Sequence, residues 1–229
     1  KLGRMAAPML PKVSFLDPTL TYTVSPYQTA CGAADMMSHI LEVYFNLNED
    51  LFMLDSMMEA MLKTIVKFAP VAIAEPENYE ARANLMWCSS WAINGFINGG
   101  RRKAWSCHPM EHELSAIYDI AHGHGLAILT PRWMEYCLEE SNAHRYVSLG
   151  VNVFGIDPKG EPMAIAKECI ERMREFMSVT LNLPYTFTEV GIKREDFATM
   201  ARKACRYGAI RGFKTLEPQD VERIYEMCI

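Results

Sequence analysis

The stretch Cys107-His108-Pro109-Met110-Glu111-His112-Glu113-Leu114-Ser115, continued by Ala121-His122-Gly123-His124-Gly125, contains four of the six histidines of this 229-residue chain. Residues i and i+4 of a helix lie on the same face, so His108 and His112 are predicted to point toward one spot. His122 precedes a glycine, a position typical of a helix end or a tight turn. The rest of the chain is interpreted outward from this histidine-rich stretch.

A second pair with the same spacing occurs in Ala34-Asp35-Met36-Met37-Ser38-His39, where Asp35 and His39 are four residues apart. Three imidazoles and one carboxylate that converge from separate segments form a site for a borderline-soft divalent ion, Fe²⁺ or Zn²⁺ rather than Mg²⁺ or Ca²⁺. The alternative is that these histidines are ordinary core or surface residues, and spacing alone does not choose between the two. Cys107 ranks below the histidines as a ligand, because its thiolate is not needed once they are available.

Composition restricts the class of protein. The 229 residues are enough for one large domain or two small ones, half of them are apolar, and the net charge is −5. The only basic run is Arg101-Arg102-Lys103, which argues against a nucleic-acid partner. Seven cysteines without a paired spacing predict reduced thiols and a cytoplasmic location. No apolar run is long enough to predict a membrane span, and no secretory signal is evident.

Hydrophobic periodicity predicts an all-α fold with a short extended N-terminal lead-in. Val13-Ser14-Phe15-Leu16 is the one convincing strand candidate, and Pro70 and Pro131 are expected to end the apolar helical patterns that precede them. Asn98-Gly99-Gly100-Arg101-Arg102 is predicted to be a turn and not a phosphate loop, since it lacks a strand-loop-helix context. The expected helices cover 25–45, 51–68, 79–96, 112–118, 145–150, 163–181, 194–208 and 218–229.

Three stretches carry a family resemblance and together span essentially the whole chain. The chain resembles the C-terminal, helical, metal-binding domain of iron-containing (group III) alcohol dehydrogenases, within the butanol-dehydrogenase-like branch. The matching stretches are Pro11-Lys12-Val13-Ser14-Phe15-Leu16-Asp17-Pro18-Thr19-Leu20-Thr21, Gln28-Thr29-Ala30-Cys31-Gly32-Ala33-Ala34-Asp35-Met36-Met37-Ser38-His39-Ile40-Leu41-Glu42, and His108-Pro109-Met110-Glu111-His112-Glu113-Leu114-Ser115-Ala116-Ile117-Tyr118-Asp119-Ile120-Ala121-His122-Gly123.

The resemblance implies roles that spacing cannot assign. Its metal ligands fall on Asp35, His39, His108 and His122. His112 matches a family position beside the nicotinamide and the substrate that does not bind metal. His124 departs from the small residue that is more usual there, and would lie near the site or compete as a ligand. His144 has no motif around it and is interpreted as a surface residue.

The resemblance also concerns what this chain lacks. Family members carry an N-terminal α/β domain with a glycine-rich dinucleotide-binding loop, and nothing in this sequence resembles that domain. The expectation is that residues 1–229 form one helical metal-binding and catalytic domain, the second half of an enzyme that is inactive alone. NAD(P)H would then be bound mainly by the missing domain, and a homodimer is a candidate assembly.

The expected chemistry is hydride transfer between a short-chain alcohol or aldehyde and NAD(P)(H). Fe²⁺, or alternatively Zn²⁺, would act as a Lewis acid on the substrate oxygen. His112 would relay the hydroxyl proton to solvent, or alternatively only shape the cleft. Ser38, Ser115, Glu111 and Glu113 are candidate partners for the second nitrogens of the ligand imidazoles. Trp105, Phe96 and Trp133 are candidate pocket walls, with ordinary core aromatics as the alternative.

Two rival functions use the same residues differently. One is a metal-dependent hydrolase or lyase that activates water on the same ligand set, for which the sequence offers no obvious general base in a motif. The other is a non-enzymatic helical interaction domain whose histidines are incidental.

Overall fold

The computed structural model describes residues 9–46, 51–99 and 105–229, and the expected basic run 101–103 and most of the predicted turn 98–102 lie outside these ranges. The regular secondary structure of the described part is almost entirely helical, which confirms the all-α prediction. The helices are α1 Pro26–Tyr44, α2 Phe52–Ala74, α3 Tyr79–Ile93, α4 Cys107–Tyr118, α5 His122–Cys137, α6 Ala143–Phe154, α7 Pro162–Glu175, α8 Phe197–Ala204 and α9 Pro218–Glu226. A π-helical turn, Phe176–Thr180, continues α7, and single 3-10 turns cover Pro18–Thr21, Phe96–Asn98, Glu140–Asn142 and Arg194–Asp196.

Several helices begin at the residues that helix-start chemistry favours. Ser25 precedes Pro26 at the start of α1, and its hydroxyl accepts the Gln28 backbone N–H at 3.2 Å. Asn78 caps α3 in the same way through the backbone N–H of Ala81 at 3.0 Å. These local signals explain why the starts of α1 and α3 agree closely with the starts expected from sequence.

Helix α1 lies at the centre of the described part and positions the site. It packs against α5 on one side and against α2 and α3 on the others. Gly123 of α5 lies close against α1, because a Cβ at this position would lie 1.9 Å from the backbone oxygen of Cys31 in α1. The two helices therefore approach at backbone distance one turn away from Asp35. Helix α4 then packs on α5 and α8, α6 packs on α7, and α8 packs on α9.

The predicted strand at Val13-Ser14-Phe15-Leu16 is wrong. These residues have no regular structure, and Val13 and Phe15 are 71% and 93% exposed. A strand needs a neighbour to pair with, and local β propensity supplies none. The one hairpin among the described residues instead joins β1 (Ile210–Arg211) to β2 (Thr215–Leu216) in antiparallel register, between the expected helices 194–208 and 218–229.

Two prolines do not end their helices. Helix α2 continues through Pro70 to Ala74, and α5 continues through Pro131 to Cys137. Each proline removes one backbone hydrogen bond, but Ala69 and Pro131 lie in buried segments whose apolar packing holds the helix together. His122 also differs from its prediction, because it begins α5 instead of ending a helix or beginning a turn.

Candidate metal centre

Asp35 and His39 lie one turn apart on α1, as their spacing predicts. The Nδ1–H of His39 donates to the backbone oxygen of Asp35 at 2.9 Å, and Nδ1 also lies 3.0 Å from Asp35 Oδ1. Because Nδ1 carries the proton that the carbonyl accepts, Nε2 of His39 is the nitrogen with the available lone pair.

His108 of α4 and His122 of α5 approach the same carboxylate from the other side. Oδ1 of Asp35 lies 3.7 Å from Nε2 of His108 and 3.8 Å from Nε2 of His122. One ligand atom from each of these three residues lies within 4.8 Å of the others, in the range that a shared ion requires. Two ligands of a tetrahedral ion with bonds of about 2.1 Å lie about 3.4 Å apart, so only small shifts would place an ion between them.

His39 completes the predicted set less directly. It is not among the three residues whose ligand atoms lie within 4.8 Å of one another. Its ring centroid nevertheless lies 4.5 Å from that of His108, and the ring centroids of His108 and His122 are 5.1 Å apart. All four side chains that the family resemblance implies as ligands are therefore gathered at one place.

Two atoms at this place have no hydrogen-bond partner. Asp35 Oδ1 and His108 Nε2 are both buried, and no described residue hydrogen-bonds to either, because the nearby Nδ1–H of His39 is directed at the backbone oxygen of Asp35. A buried polar atom without a partner costs about 1–3 kcal/mol. Because these two atoms face each other at more than hydrogen-bond distance, a cation between them would remove that cost. The donor set, one carboxylate and imidazole nitrogens, fits Fe²⁺ or Zn²⁺.

The second nitrogens of His108 and His122 are engaged by two buried glutamates. Nδ1 of His108 contacts Oε2 of Glu42, and Nδ1 of His122 contacts Oε2 of Glu111. Glu42 is 2% exposed and Glu111 is fully buried. Together with the contact of His39, these contacts make Nδ1 the donor in all three histidines, and Nε2 of His108 and of His122 are the nitrogens that lie toward Asp35.

The pKa values of Asp35 and His108 each depend on the charge of the other residue. Burial raises the pKa of Asp35, but the neighbouring imidazoles of His108 and His39 more than offset this effect and hold that pKa well below its usual range. Burial lowers the pKa of His108, but the carboxylates of Asp35 and Glu42 raise it to about 9. The lowered pKa of Asp35 keeps it ionised, the form that binds a cation, whereas His108 has to release its Nε2 proton when it binds one.

His112 lies beside this cluster and not within the Asp35 group. Its ring centroid is 5.4 Å from that of His122 and 6.2 Å from that of His108. It lines a cleft of about 290 Å³ together with Trp105, Pro109, Ala204, Arg206, Tyr207, Gly208, Ala209, Ile210 and Arg211. Trp105 forms one wall of this cleft and packs edge-on against His108, with 4.3 Å between ring centroids. His112, Glu111 and His122 form a second group whose ligand atoms lie within 4.8 Å of one another.

The other two candidate wall residues lie elsewhere. Trp133 is 1% exposed and packs in the core against Phe45, at 5.7 Å between ring centroids. Phe96 packs edge-on against Trp91 and lines a separate apolar groove of about 360 Å³ between α2 and α3. Only Trp105 of the three borders the cleft.

The remaining histidines and cysteines have simple surroundings. His124 is buried, its Nε2–H donates to the oxygen of Pro184 at 2.7 Å, and its Nδ1 accepts the hydroxyl of Tyr27 at 3.1 Å. Burial lowers the pKa of His124. His144 is exposed. Cys107 is fully buried, and burial raises its pKa well above the usual value. All seven cysteines are free and buried.

Sequence reasoning missed Glu42 as a partner of His108. A weak signal exists, because Glu42 follows His39 by three residues and Asp35 by seven, and so lies on the same face of α1. Glu111 is one of four candidates that the sequence offers, and the structure pairs it with His122. Ser115 takes part indirectly, since its hydroxyl donates to Glu111 Oε1.

Known proteins match nearly the whole chain. Residues 29–229 match the model of the Fe-containing alcohol dehydrogenase family, C-terminal. The NADH-dependent butanol dehydrogenase A of Clostridium acetobutylicum is 48% identical over 228 residues, which cover 99% of this chain and 58% of that protein. An NADPH-dependent aldehyde reductase of Escherichia coli is 30% identical over 204 residues, 89% of this chain and 52% of that protein.

Solved structures also match nearly the whole chain. The NADH-dependent butanol dehydrogenase A of Thermotoga maritima superimposes with a TM-score of 0.90 at 33% identity, over 97% of this chain and 57% of the other. The chain therefore spans less than two thirds of the length of these relatives. Among the described residues, no helix combines the length and the apolar character needed to cross a membrane.

Proposed function

The chain belongs to the Fe-containing alcohol dehydrogenase family, and on this premise we propose that it is the metal-binding and catalytic part of an NAD(P)-dependent alcohol dehydrogenase. The substrate class is a short-chain primary alcohol such as 1-butanol, or the corresponding aldehyde, by analogy with relatives named as butanol dehydrogenases at 38–48% identity. One observation carries the proposal: buried Asp35 Oδ1 and His108 Nε2 lie 3.7 Å apart, and neither accepts or donates a hydrogen bond within the described chain, although Asp35 Oδ1 lies 3.0 Å from Nδ1 of His39.

Asp35, His39, His108 and His122 are the residues we propose to hold the ion. Iron is the metal in the family's name, and zinc suits the same donors. When bound, the ion would supply Lewis-acid polarisation of the substrate oxygen. Asp35 contributes the one negative charge of the ligand set, and its low pKa keeps that charge in place at neutral pH. The three imidazoles are presented through Nε2, because Nδ1 of each is engaged within the protein.

His112 and Trp105 prepare the neighbouring cleft for the substrate. Oxidation of an alcohol removes a hydride from its carbon, which passes to NAD(P)⁺, and a proton from its oxygen. We propose that His112 accepts this proton, because its ring lies next to the proposed ligand His122 and lines the cleft. The indole of Trp105 borders the same cleft, excludes water from one side and offers an apolar surface to a short alkyl chain.

The nucleotide is proposed to bind mainly outside this chain. Relatives named as NADH-dependent and as NADPH-dependent both match the same helical part, and this chain covers only 58% and 52% of them. This observation supports a nucleotide preference that is decided by the remaining part of such proteins. Seven free, buried cysteines support a reducing compartment, so we propose a cytoplasmic location.

Metal analysis of the purified chain tests the proposal. We expect one Fe or Zn ion per chain, and His108→Ala should lose it because His108 is a proposed ligand. His144→Ala is the matched control, since His144 is an exposed histidine away from the centre. An ion retained by His108→Ala, or no ion bound by the wild-type chain, would contradict the metal assignment.

Activity tests the reaction class. We expect a protein in which this chain is joined to a nucleotide-binding domain to oxidise 1-butanol or reduce butanal with a matching change in nicotinamide absorbance. Metal-dependent hydrolysis without nicotinamide turnover would instead favour the hydrolase alternative. A chain that binds no ion and no alcohol would favour an interaction domain.

A further inference from the structure

Two buried carboxylates outside the proposed ligand set contact the Nδ1 atoms of two proposed ligand histidines. Glu42 comes from α1 and holds His108 of α4, whereas Glu111 comes from α4 and holds His122 of α5. Each carboxylate thus joins one helix to the next through an imidazole. A buried carboxylate is costly unless it is paired, so its placement against an imidazole N–H calls for an explanation.

Glu42 is fixed by the start of α4. Its Oε1 accepts the backbone N–H groups of Ser106 and Cys107, while its Oε2 contacts Nδ1 of His108. Helix α4 has no side-chain cap from its own N-cap residue, and Glu42 supplies that acceptor from α1. The partial positive charge of a helix N-terminus further favours an anion there. Glu42 therefore has three donors for its two oxygens and little freedom to move.

Glu111 is fixed by α5 and by its own helix. Its Oε1 accepts the hydroxyl of Ser115 one turn later, and its Oε2 contacts Nδ1 of His122. Gly125 of α5 makes the space, because a Cβ there would lie 2.8 Å from Cγ of Glu111. The carboxylate is thereby confined between α4 and α5, with no exposed area.

We propose that Glu42 and Glu111 are positioning residues for the metal centre, each acting through the histidine that it contacts. Accepting the Nδ1–H fixes the tautomer and turns the Nε2 lone pair toward the ion, and the negative charge makes that nitrogen a better donor. The inference rests on the proposed function, since it takes the ion site at Asp35, His39, His108 and His122 as its premise. Loss of such an orienting partner typically lowers metal affinity 10–100-fold.

The two glutamates predict different responses to glutamine. A glutamine at 111 can still accept the His122 Nδ1–H, because the Ser115 hydroxyl can rotate and accept from the amide instead. A glutamine at 42 has one accepting oxygen for three donors, so satisfying the backbone N–H groups turns its amide N–H₂ toward His108. That contact would leave Nδ1 of His108 unprotonated and put the proton on Nε2, the nitrogen that should bind the ion.

The experiment measures Zn²⁺ affinity by competition with a chromophoric chelator, and the visible absorption of the Co²⁺-loaded chain as a report on ligand geometry. We expect Glu111→Ala to weaken Zn²⁺ binding 10–100-fold. Glu111→Gln should retain most of the wild-type Zn²⁺ affinity and show a wild-type Co²⁺ spectrum. Glu42→Gln should weaken Zn²⁺ binding more than Glu111→Gln does. Glu59→Gln is the control: Glu59 is also buried, but it bonds Tyr44 and Asn152 instead of a histidine. Glu59→Gln should lower the free energy of unfolding and leave the Zn²⁺ affinity unchanged.

The outcomes separate this inference from its premise. A wild-type chain that binds no ion overturns the metal assignment and this inference together. Tight wild-type binding that Glu111→Ala leaves unchanged overturns the positioning role alone. Two ions per chain, with one lost in Glu111→Ala, would make Glu111 a ligand in the group it forms with His112 and His122, and would also overturn the inference. If Glu42→Gln unfolds because α4 loses its cap, the Zn²⁺ affinities of Glu111→Ala and Glu111→Gln test the positioning role.

Discussion

At the scale of single residues, His124 differs from His108 because both of its ring nitrogens have protein partners, whereas Nε2 of His108 has none among the described residues. The two nitrogens of His124 bond the Tyr27 hydroxyl and the Pro184 oxygen, and the ring is 3% exposed. We therefore expect His124→Ala to lower the free energy of unfolding by about 1–3 kcal/mol, since it leaves the Pro184 oxygen unsatisfied. Ion binding should not change.

The measurement is urea unfolding combined with ion titration, with His108→Ala as the comparison. His108→Ala is expected to lose the ion because the structure places its Nε2 toward Asp35. If His124→Ala lost affinity as His108→Ala does, His124 would be a ligand and its structural role would be secondary.

The contact between Glu42 and His108 could not be predicted from the sequence. Helical spacing predicts that Asp35 and His39 share a face, because that relation depends only on residues four apart. The pairing of Glu42 with His108 joins residues 66 positions apart and depends on how α1 meets α4. Local sequence carries no such information, and so the pairs Glu42–His108 and Glu111–His122 required the structure.

At the scale of elements, the contact between α1 and α5 sets the position of Asp35 relative to His122. A Cβ at Gly123 would lie 1.9 Å from the Cys31 oxygen, so Gly123→Ala must push the helices apart. We expect the free energy of unfolding to fall by about 1–3 kcal/mol, the usual cost of overpacking. Metal affinity should fall as well, because the ligands on the two helices separate.

Gly32→Ala is the matched control for Gly123→Ala. Gly32 lies on α1 itself, and within the described residues a Cβ there would meet no atom closer than 4 Å. Alanine is favoured over glycine in a helix by about 1 kcal/mol, so this variant should be as stable as wild type or more stable. Chemical denaturation monitored by circular dichroism measures both variants. Equal stabilities for the two would mean that the α1–α5 contact is not tight.

Proline positions show why element boundaries were predicted less well than element types. Pro70 and Pro131 are strong local signals for a helix end, yet α2 and α5 run through them. A single lost hydrogen bond is a local cost, whereas the packing of the buried turns on both sides is a tertiary gain that a sequence window does not contain. Helix starts with a serine or asparagine cap were predicted more closely, because capping is itself local.

Helices α5 and α9 are joined by a titratable contact. The hydroxyl of Tyr136 donates to Oδ1 of Asp220 at 2.6 Å. Burial raises the pKa of Asp220, but this hydroxyl and the backbone N–H of Glu217 hold it below its usual range. The unfolded chain therefore binds more protons in acid, and the stabilisation is complete above about pH 4 and is lost as the pH falls through the pKa of the folded state.

Tyr136→Phe tests this contact. We expect it to lower the free energy of unfolding at pH 7 by about 0.5–1.5 kcal/mol, and the difference from wild type should narrow below about pH 4. Tyr146→Phe is the control, since Tyr146 donates to the backbone oxygen of Met134 at 2.8 Å and faces no carboxylate in that bond. Its effect should be independent of pH between 3 and 7. A Tyr136→Phe effect that is equally flat would exclude the charge-assisted contact.

At the scale of the whole molecule, the ligands that the resemblance implies come from three helices that are distant in sequence. Asp35 and His39 lie on α1, His108 on α4 and His122 on α5. An ion held by all four would link these helices in the folded state, and the unfolded chain could not present the same geometry. Binding of the ion and folding should therefore be coupled.

This coupling predicts a concentration-dependent rise in melting temperature. At an ion concentration 100 times Kd, binding adds about 2.7 kcal/mol, and at about 2–4 °C per kcal/mol for a chain of this size the rise is about 5–10 °C. Thermal unfolding of the chelator-treated chain, with and without added Zn²⁺ or Fe²⁺, measures it. His108→Ala should show no rise, while His144→Ala should behave as wild type because His144 is exposed and outside the centre. An equal rise in His108→Ala would mean that the ion stabilises the chain from another site, and that α1, α4 and α5 are held together by packing alone.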